Sequence, residues 1–277
     1  MSMPELPELE ILRRDLDKEV TGKKIKSVEI TGTQTTKRGG TKKSLLARLD
    51  GHKIDSVSRK GTWIVLGLDS GEKAMISLGA GAGLRRNQAK DAPQPGLAVN
   101  ITFTQGGQLR LLDPKKSCEF FVVGEGEVAD VVGEIGFDLV EEAIPWTKFG
   151  EQLLRRNAKL KAILMDPTFL VGIGPMYSDE ILFESGLRYD RTPEGLSTQE
   201  LRRLSRAAVE IVHDSIKHGG ASVGPDGWVN LHGEAGSYNE FINVHHRDGE
   251  MSPRARGPIV KAKFQGAYTY FCEQTQV

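Results

Sequence analysis

Apolar residues recur at steps of three and four near the start of the chain, and they predict an amphipathic helix from Pro7 to Val20. The residues on the apolar face are Leu9, Leu12, Leu16 and Val20. Charged residues occupy the other faces of this segment. The chain therefore opens with a helix that packs one side against a core.

Short apolar runs of strand length follow this helix and are separated by Gly, Asp and Ser. They read KIKSVEI, KIDSVSRKGTWIVLGLD, KAMISL, LAVNITF and GQLRLLD. A helix followed by strands predicts a β-sandwich or barrel headed by one helix. We assign this N-terminal domain to residues 1–128.

The pattern changes from strands to helices around an acidic stretch, GEIGFDLVEEAIP, which is typical of a connector. We assign the connector to residues 129–143. Apolar residues at helical spacing then recur in TKFGEQLLRR, AKLKAILMD, PMYSDEILFESG and TQELRRLSRAAVEIVHDSIKHG. They predict a helical domain at residues 144–240, within which residues 219–239 form a long loop rich in Gly, Ser, Asp and Asn. Loops of this length are usually functional or disordered.

The last segment, residues 241–277, ends in GPIVKAKFQGAYTYFCEQ, which alternates with period two around a Gln265-Gly266 turn. This pattern predicts a β-hairpin. One face of its first strand holds Val260, Ala262 and Phe264, and the open face holds Lys261 and Lys263. The whole chain is therefore expected to have an α+β fold.

Composition excludes several classes of protein. The 37 basic and 37 acidic residues cancel, so any polyanion must be bound by a local patch. No apolar run approaches the ~18 to 20 residues that span a bilayer, and no secretion signal precedes the helix. We expect a cytoplasmic monomer that does not contact a membrane. Cys118 and Cys272 lie too far apart in sequence to indicate a disulfide framework or a thiolate zinc site.

The opening stretch MSMPELPELEILRR has two interpretations. In the first, PELPELE is an ordinary helix start, with Pro7 at the first helical position and acidic residues beside the positive end of the helix dipole. In the second, a proline at a free amino terminus forms an iminium ion with a sugar carbon, and a neighbouring carboxylic acid protonates a leaving group or ring oxygen. Pro4 and Glu5 supply these two groups.

A second candidate site lies in DPTFLVGIGPMYSDEILFESG. Gly172, Gly174 and Pro175 precede a helical pattern, where backbone amides form an anion-binding nest suited to phosphate. The alternative is a plain turn between two helices. No strand precedes the glycines, which disfavours a dinucleotide-binding motif. Lys161, one helix upstream, is placed to reach the same anion.

Several motifs together resemble the formamidopyrimidine-DNA glycosylase and endonuclease VIII family. They are PELPE, SRKGTWIVLGL, the LDP of Leu112 to Pro114, and LKAILMDPTFLVGIGPMYSDEILFESGLRYDR. These motifs occur in the same order as in the family, and together they cover nearly the whole chain. It implies a two-sheet β-sandwich, a helix-two-turn-helix domain and a terminal hairpin.

The resemblance also implies an activity. In this family the enzyme flips a damaged nucleotide out of duplex DNA, the terminal proline attacks C1′, and β-elimination nicks the strand. Carried to this sequence, Pro4 is the nucleophile and Glu5 the acid, and the partner is damaged or abasic DNA. The expected DNA-binding residues are Lys161, Lys116, Gly172, Gly174, Lys261 and Lys263.

The chain departs from the family at positions that face DNA. Thr62 replaces a strand lysine, Ala80 replaces a methionine that enters the double helix, and Ser117 replaces a phenylalanine. A flipped nucleotide leaves an unstacked hole that costs a few kcal/mol, and apolar or planar side chains normally fill it. The departures favour substrates that leave little or no hole for the protein to fill, such as single-stranded DNA, an abasic site or a bulky lesion.

The terminal hairpin departs from the family as well. The four zinc cysteines of the family fall near Ser252, Ala255, Cys272 and Thr275, which leave one thiol. We therefore expect a zinc-less finger, with no metal and no cofactor. Ala267 replaces the finger arginine that binds phosphate, which argues against a second elimination step.

Three functions remain open. The first is a DNA repair glycosylase with abasic-site lyase activity; the second is a DNA-binding family member that has lost base excision; the third is a redeployed enzyme that acts on a nucleoside or sugar. An amide nitrogen is not nucleophilic, so Pro4 forms no Schiff base while Met1, Ser2 and Met3 precede it. Either the physiological start is Met3, with the first two residues a start-site artefact, or the proline chemistry is absent and Glu5 at most assists water.

Overall fold

The computed structural model describes residues 3–224 and 227–277. The chain folds as two compact units. The first unit runs to Gly133 and adds His218–Asn239, and the second combines Glu134–Lys217 with Glu240–Val277. The division expected from the sequence, into residues 1–128, 129–143, 144–240 and 241–277, remains a prediction. The two units differ from it mainly in grouping the long loop with the N-terminal residues.

The first unit begins with helix α1 (Leu6–Val20) and contains two four-stranded antiparallel sheets. The strands are β1 (Ile25–Ile30), β2 (Ile54–Lys60), β3 (Trp63–Leu68), β4 (Lys73–Ser77), β5 (Gly83–Asn87), β6 (Leu97–Phe103), β7 (Gln108–Leu112) and β8 (Glu119–Val123). One sheet has the order β1-β6-β7-β5 and the other β2-β3-β4-β8. The predicted helix-led, two-sheet β-sandwich is confirmed.

The apolar face of α1 packs against the core of this sandwich. Leu12, Leu16 and Val20 are fully buried, and Leu9 is nearly so. Burial of one such side chain stabilises the folded state by about 1.5 to 3 kcal/mol. The same core cluster includes Leu231 from the long loop, which explains why that loop belongs to the first unit.

Some elements of the first unit were not predicted. They are the strands β5 and β8 and the short helices α2 (Lys42–Ala47) and α3 (Val128–Val132). Strand β5 contains two adjacent arginines, Arg85 and Arg86, which break the apolar alternation. Both guanidinium groups donate to backbone carbonyls, and the acceptors of Arg85 include Val229 and Asn230 in the long loop. Tertiary contacts therefore supply the hydrogen-bond acceptors for the arginines of a strand that the local sequence pattern does not reveal.

The second unit contains four helices and a hairpin, as the sequence predicted. They are α4 (Trp146–Leu154), α5 (Leu160–Leu164), α6 (Pro175–Ser185), α7 (Thr198–Lys217), β9 (Val260–Phe264) and β10 (Ala267–Phe271). A buried hydrogen bond between the Tyr177 and Ser215 hydroxyls joins α6 to α7. No helix in the described part of the chain is long and apolar enough to cross a membrane.

The terminal hairpin has the expected turn. Gln265 and Gly266 both have positive φ angles, 47° and 82°, which is the conformation of a two-residue type I′ turn. Phe264 is therefore paired with Ala267. Lys261 and Lys263 are exposed, whereas the alternating residues of the other face are partly or fully buried. The predicted turn position and the predicted buried and open faces of β9 are confirmed.

Three of the four positions that correspond to the family's zinc ligands lie close together at the base of the hairpin. The Cys272 thiol is buried, and it lies beside the Ser252 side chain and the backbone of Gln274 and Thr275. Burial alone would raise the pKa of this thiol, but these neighbouring polar groups hold it below its ordinary value. One thiol among hydroxyl and methyl groups does not fit a tetrahedral zinc site. Over residues 3–224 and 227–277, no three His, Cys, Asp or Glu side chains are grouped as metal ligands.

Candidate functional site at the start of helix α1

The candidate reactive residues lie directly before α1. Pro4 is buried, whereas Met3 before it is 58% exposed. Glu5 is the N-cap residue, with extended backbone, and its N–H donates to Glu8 Oε2 at 3.1 Å. This contact belongs to a capping box that satisfies backbone donors at the helix start. The helix-start interpretation is confirmed, although α1 begins one residue earlier than predicted, so that Pro7 is its second residue.

Three buried carboxylates share this first part of α1, and they have different surroundings. Glu8 Oε1 accepts the Ala221 N–H at 2.9 Å. Glu10 accepts hydrogen bonds from Arg13 and Arg14. Burial alone would raise the pKa of Glu10, but the two arginines hold it below its ordinary value. Glu10 is therefore a structural anion, and Glu5, 8% exposed and adjacent in sequence to Pro4, is the candidate proton donor.

The long loop closes over this helix start at Gly220. The backbone of Gly220 has φ +83°, which favours glycine. A Cβ atom at this position would lie 3.0 Å from a ring carbon of Trp228 and 3.1 Å from Glu8 Oε1. The tryptophan ring and the Glu8 carboxylate therefore flank the same point, so a larger residue at position 220 would strain the backbone and displace these side chains. Sequence reasoning did not identify Gly220, because a glycine in a glycine-rich loop carries no distinguishing signal.

The loop is held by specific contacts rather than by regular structure. The buried Leu231 accepts the Arg86 N–H at 2.9 Å, and the Ser222 hydroxyl donates to the Trp228 carbonyl. Asn239 Nδ2 donates to the Ser222 carbonyl at 2.7 Å. Trp228 itself is half-buried against the sandwich core, and its indole N–H is buried without an acceptor among residues 3–224 and 227–277. These contacts fix the indole beside the start of α1.

The second unit contains the predicted phosphate-binding lysine, but its ammonium group is not exposed. Lys161 is 2% exposed, and its Nζ lies 2.5 Å from Asp179 Oδ1 and 3.0 Å from the Pro175 carbonyl. Asp179 also accepts the Thr269 hydroxyl and lies 2.9 Å from His245 Nδ1. The sequence correctly predicted that Lys161 lies beside the glycine turn. It did not identify Asp179, which reads as one more polar residue of a helix. Phosphate binding by Lys161 remains a prediction.

The glycine turn has the geometry of a helix start. Gly172 has φ +62°, in the left-handed region, and Gly174 is the extended N-cap residue of α6. Pro175 is the first helical residue and has no N–H to offer a ligand. The positive end of an 11-residue helix dipole favours an anion here. An anion-binding nest at Gly172 and Gly174 remains a prediction.

The remaining predicted DNA-binding lysines have different surroundings. Lys116 is exposed between β7 and β8, with a left-handed backbone of φ +55°. Lys261 Nζ lies 2.7 Å from Asp248 Oδ2 and over the Tyr268 ring, so part of its charge is already neutralised. Lys263 is exposed on the same strand face. Their binding of DNA also remains a prediction.

We expect Lys161→Ala to lower the free energy of unfolding by about 3 kcal/mol, because it leaves the Asp179 carboxylate buried without its cation. Urea unfolding measures this loss, and the exposed neighbour Lys159→Ala serves as the control. Under conditions where the variant is folded, we expect it to bind DNA more weakly. Unchanged affinity for DNA would count against the phosphate assignment, and unchanged stability would count against the buried ion pair.

The fold and this site define a class: a helix-led β-sandwich with a helix-two-turn-helix unit, in which a proline and a carboxylic acid precede the first helix. Family models agree with it. Residues 3–120 match the formamidopyrimidine-DNA glycosylase N-terminal domain, and residues 135–225 match the formamidopyrimidine-DNA glycosylase H2TH domain. The chain belongs to the formamidopyrimidine-DNA glycosylase family.

Individual relatives are similar over their full length. The formamidopyrimidine-DNA glycosylase of Geobacillus kaustophilus is 30% identical over 277 residues, covering 99% of this chain and 100% of the relative. That of Pelotomaculum thermopropionicum is 29% identical and covers 99% of both chains. A solved complex between Lactococcus lactis Fpg and DNA containing an abasic site has a TM-score of 0.91 at 26% identity, with 99% of both chains covered.

Proposed function

We propose that this protein is a DNA repair glycosylase with abasic-site lyase activity, acting through Pro4 and Glu5. One observation carries the proposal: the proline and the carboxylic acid lie together and buried at the capped start of α1. The loop that carries Gly220 and Trp228 is fixed beside the same helix turn. A nucleophilic amine and an acid in one water-poor place are what glycosidic bond cleavage requires.

The chemistry follows from these two groups once Pro4 is the first residue. The secondary amine of Pro4 attacks C1′ of the damaged nucleotide, the C1′–N bond breaks, and the base leaves with a proton. Opening of the sugar ring, assisted by proton transfer from Glu5, gives an iminium ion between Pro4 and C1′. Loss of a C2′ proton then breaks the C3′–O bond and nicks the strand. Water finally hydrolyses the imine and restores the amine.

Several features of the second unit support DNA as the partner. The helix-two-turn-helix turn at Gly172 and Gly174 suits a backbone phosphate, and the hairpin carries exposed Lys261 and Lys263. The similarity to a Lactococcus lactis protein that was solved with abasic-site DNA adds support. The balanced net charge fits local patches of this kind rather than a uniformly basic surface.

Borohydride trapping tests the proposal, with abasic and damaged oligonucleotides in single- and double-stranded form. We expect a covalent protein–DNA adduct from a chain whose first residue is Pro4. DNA binding without an adduct would instead indicate a family member that has lost base excision. Absence of salt-dependent DNA binding would indicate an enzyme for nucleosides or sugars, because phosphate contacts release counterions and make binding depend on salt.

A further inference from the structure

The surface of the first unit is poor in exposed large apolar side chains. Among its described residues the only one is Met3, which is absent from a chain that begins at Pro4. Its two tryptophans are partly buried, Trp228 against the sandwich core and Trp63 against a smaller apolar cluster. Proteins that kink duplex DNA or flip a base out of it insert apolar side chains between the bases. The described part of the first unit supplies no such wedge.

Two touching loops of this unit present only small groups. The first, residues 79–83, reads GAGAG and carries nothing longer than a methyl group. Its Gly79 N–H donates to Cys118 Sγ at 3.4 Å, and a Cβ atom at Gly79 would lie 2.6 Å from Ser117 Cβ. The second loop is fixed by Asp113, which accepts the N–H groups of Ser117 at 2.8 Å and Cys118 at 3.1 Å. The loops therefore form a preformed surface of backbone, methyl and hydroxyl groups.

Such a surface makes duplex DNA a costly substrate. Extrusion of a nucleotide from a duplex breaks its pairing and stacking and leaves the opposite base without a partner, a cost that an inserted side chain normally offsets. A duplex with an abasic site lacks the flipped base but still contains the orphaned opposite base. Unpaired DNA has no opposite base and leaves no hole to fill. The missing wedge therefore penalises the duplex alone.

The terminal hairpin of the second unit has the opposite character. The Tyr268 side chain on β10 is 48% exposed, and its cross-strand partner on β9 is the exposed Lys263. Cross-strand partners lie on one face of an antiparallel pair. Lys261 Nζ lies 5.5 Å from the centre of the Tyr268 ring. An exposed ring among cations is typical of sites for single-stranded nucleic acid, because a base stacks on the ring while the cations attract the backbone.

We propose that the substrate of this enzyme is unpaired DNA, as in a single strand or a bubble, and that one of its bases stacks on Tyr268. A base inside a duplex is already stacked between its neighbours and has no face free for the ring. The inference rests on the proposed function, because it takes base excision as given and names the strand form on which excision occurs. Its two observations come from different units of the protein and do not depend on each other.

Strand preference is measured with one damaged oligonucleotide, presented alone, in a duplex and in a bubble of non-complementary bases. The assay is single-turnover excision by a chain that begins at Pro4. We expect excision from the single strand and the bubble to exceed that from the duplex roughly tenfold or more, because the duplex alone carries an unstacking cost without a wedge. Affinities for a tetrahydrofuran abasic-site analogue should follow the same order. Excision from the duplex that is equal or faster would overturn the inference.

A wedge can be introduced into the first loop at Ala80, which is partly exposed. We expect Ala80→Met to raise excision from the duplex roughly fivefold, since an apolar side chain can then fill the hole, and to leave excision from the single strand unchanged. The matched control is Ala89→Met, at an exposed alanine of the same unit outside both loops. Thermal unfolding verifies that both variants are folded. No gain on the duplex relative to this control would overturn the wedge argument.

The stacking contact is tested with Tyr268→Ala, and Tyr268→Phe is its control because it keeps the ring. We expect the alanine variant to bind the single-stranded abasic analogue roughly tenfold more weakly, the loss of about one stacked base, and the phenylalanine variant to bind like the wild type. Affinity for the duplex should change much less. A loss on the duplex that equals or exceeds the loss on the single strand would make Tyr268 a duplex contact and would overturn the inference.

Borohydride trapping on both strand forms separates this failure from failure of the proposed function. Equal adducts on the single strand and the duplex, with Tyr268→Ala unchanged, would remove the strand preference and leave the glycosylase and lyase activity in place. Absence of both adduct and excision on every strand form would remove the proposed function, and the inference about strand form with it.

Discussion

A chain that begins at Pro4 should form a borohydride-trapped adduct with abasic-site DNA, and a chain that retains Met3 should form none. The nitrogen of Pro4 is a secondary amine only when no residue precedes it. In the longer chain this nitrogen belongs to a peptide bond, and resonance removes its nucleophilicity. The expected difference is therefore between reaction and no reaction. Intact mass establishes which chain is present, and gel analysis after borohydride reduction measures the adduct.

The two chains are best prepared from one precursor, with a removable leader placed before either Pro4 or Met3. Met3 is exposed and Pro4 buried, so the two chains should share one fold, and thermal unfolding serves as the control. A chain that begins at Gly in place of Pro4 should retain a weaker reaction, because it still has a free amine. An equal adduct from the chain that retains Met3 would show that another amine, such as a lysine, is the nucleophile.

Glu5→Gln should reduce the rate of base excision by roughly 10² to 10⁴, the usual contribution of a general acid. Glutamine has nearly the same shape as glutamate but donates no carboxylic proton to the sugar oxygen or the leaving group. Single-turnover excision from a damaged duplex measures the effect. The adduct with a preformed abasic site should fall less, because the base has already left.

The matched control for this variant is Glu8→Gln, one turn further along the helix. Its amide oxygen still accepts the Ala221 N–H, but its amide NH2 replaces the oxygen that accepts the Glu5 N–H. We therefore expect a small loss of stability, measured by thermal unfolding, and a fall in excision far smaller than that of Glu5→Gln. Excision by Glu5→Gln at the wild-type rate would remove Glu5 from the mechanism. If excision then fell in Glu8→Gln, the acid would be Glu8.

Much of the fold was predictable because its elements have strong local patterns. The apolar face of α1, the four helices of the second unit and the type I′ hairpin all follow from residue spacing alone. Strand β5 was missed because two arginines interrupt its apolar alternation, and the acceptors of Arg85 include a loop more than 140 residues away in sequence. Strand β8 was missed because its continuous apolar run, EFFVV, has no alternation to distinguish it.

The candidate site was predictable in its residues and less so in their surroundings. Pro4, Glu5, Lys161 and the glycine turn were identified from sequence. The burial of Lys161 was not, because its partner Asp179 lies 18 residues away in sequence. The loop contact of Glu8 beside them was not predictable either, because Ala221 lies 213 residues away. Gly220 carries no local signal either. Its importance appears only when Trp228 and Glu8 are seen on either side of it.

The sequence by itself determined the order of most elements, the capped helix start and the pair of groups suited to amine and acid chemistry, because each depends on neighbours a few residues apart. The tertiary structure decided which charges are available. It buries Lys161 in an ion pair, engages Lys261 with Asp248, and leaves Lys37 and Lys116 without carboxylate partners in the described part of the chain. Pairing of charges depends on distances in space, and residue spacing along the chain does not report them.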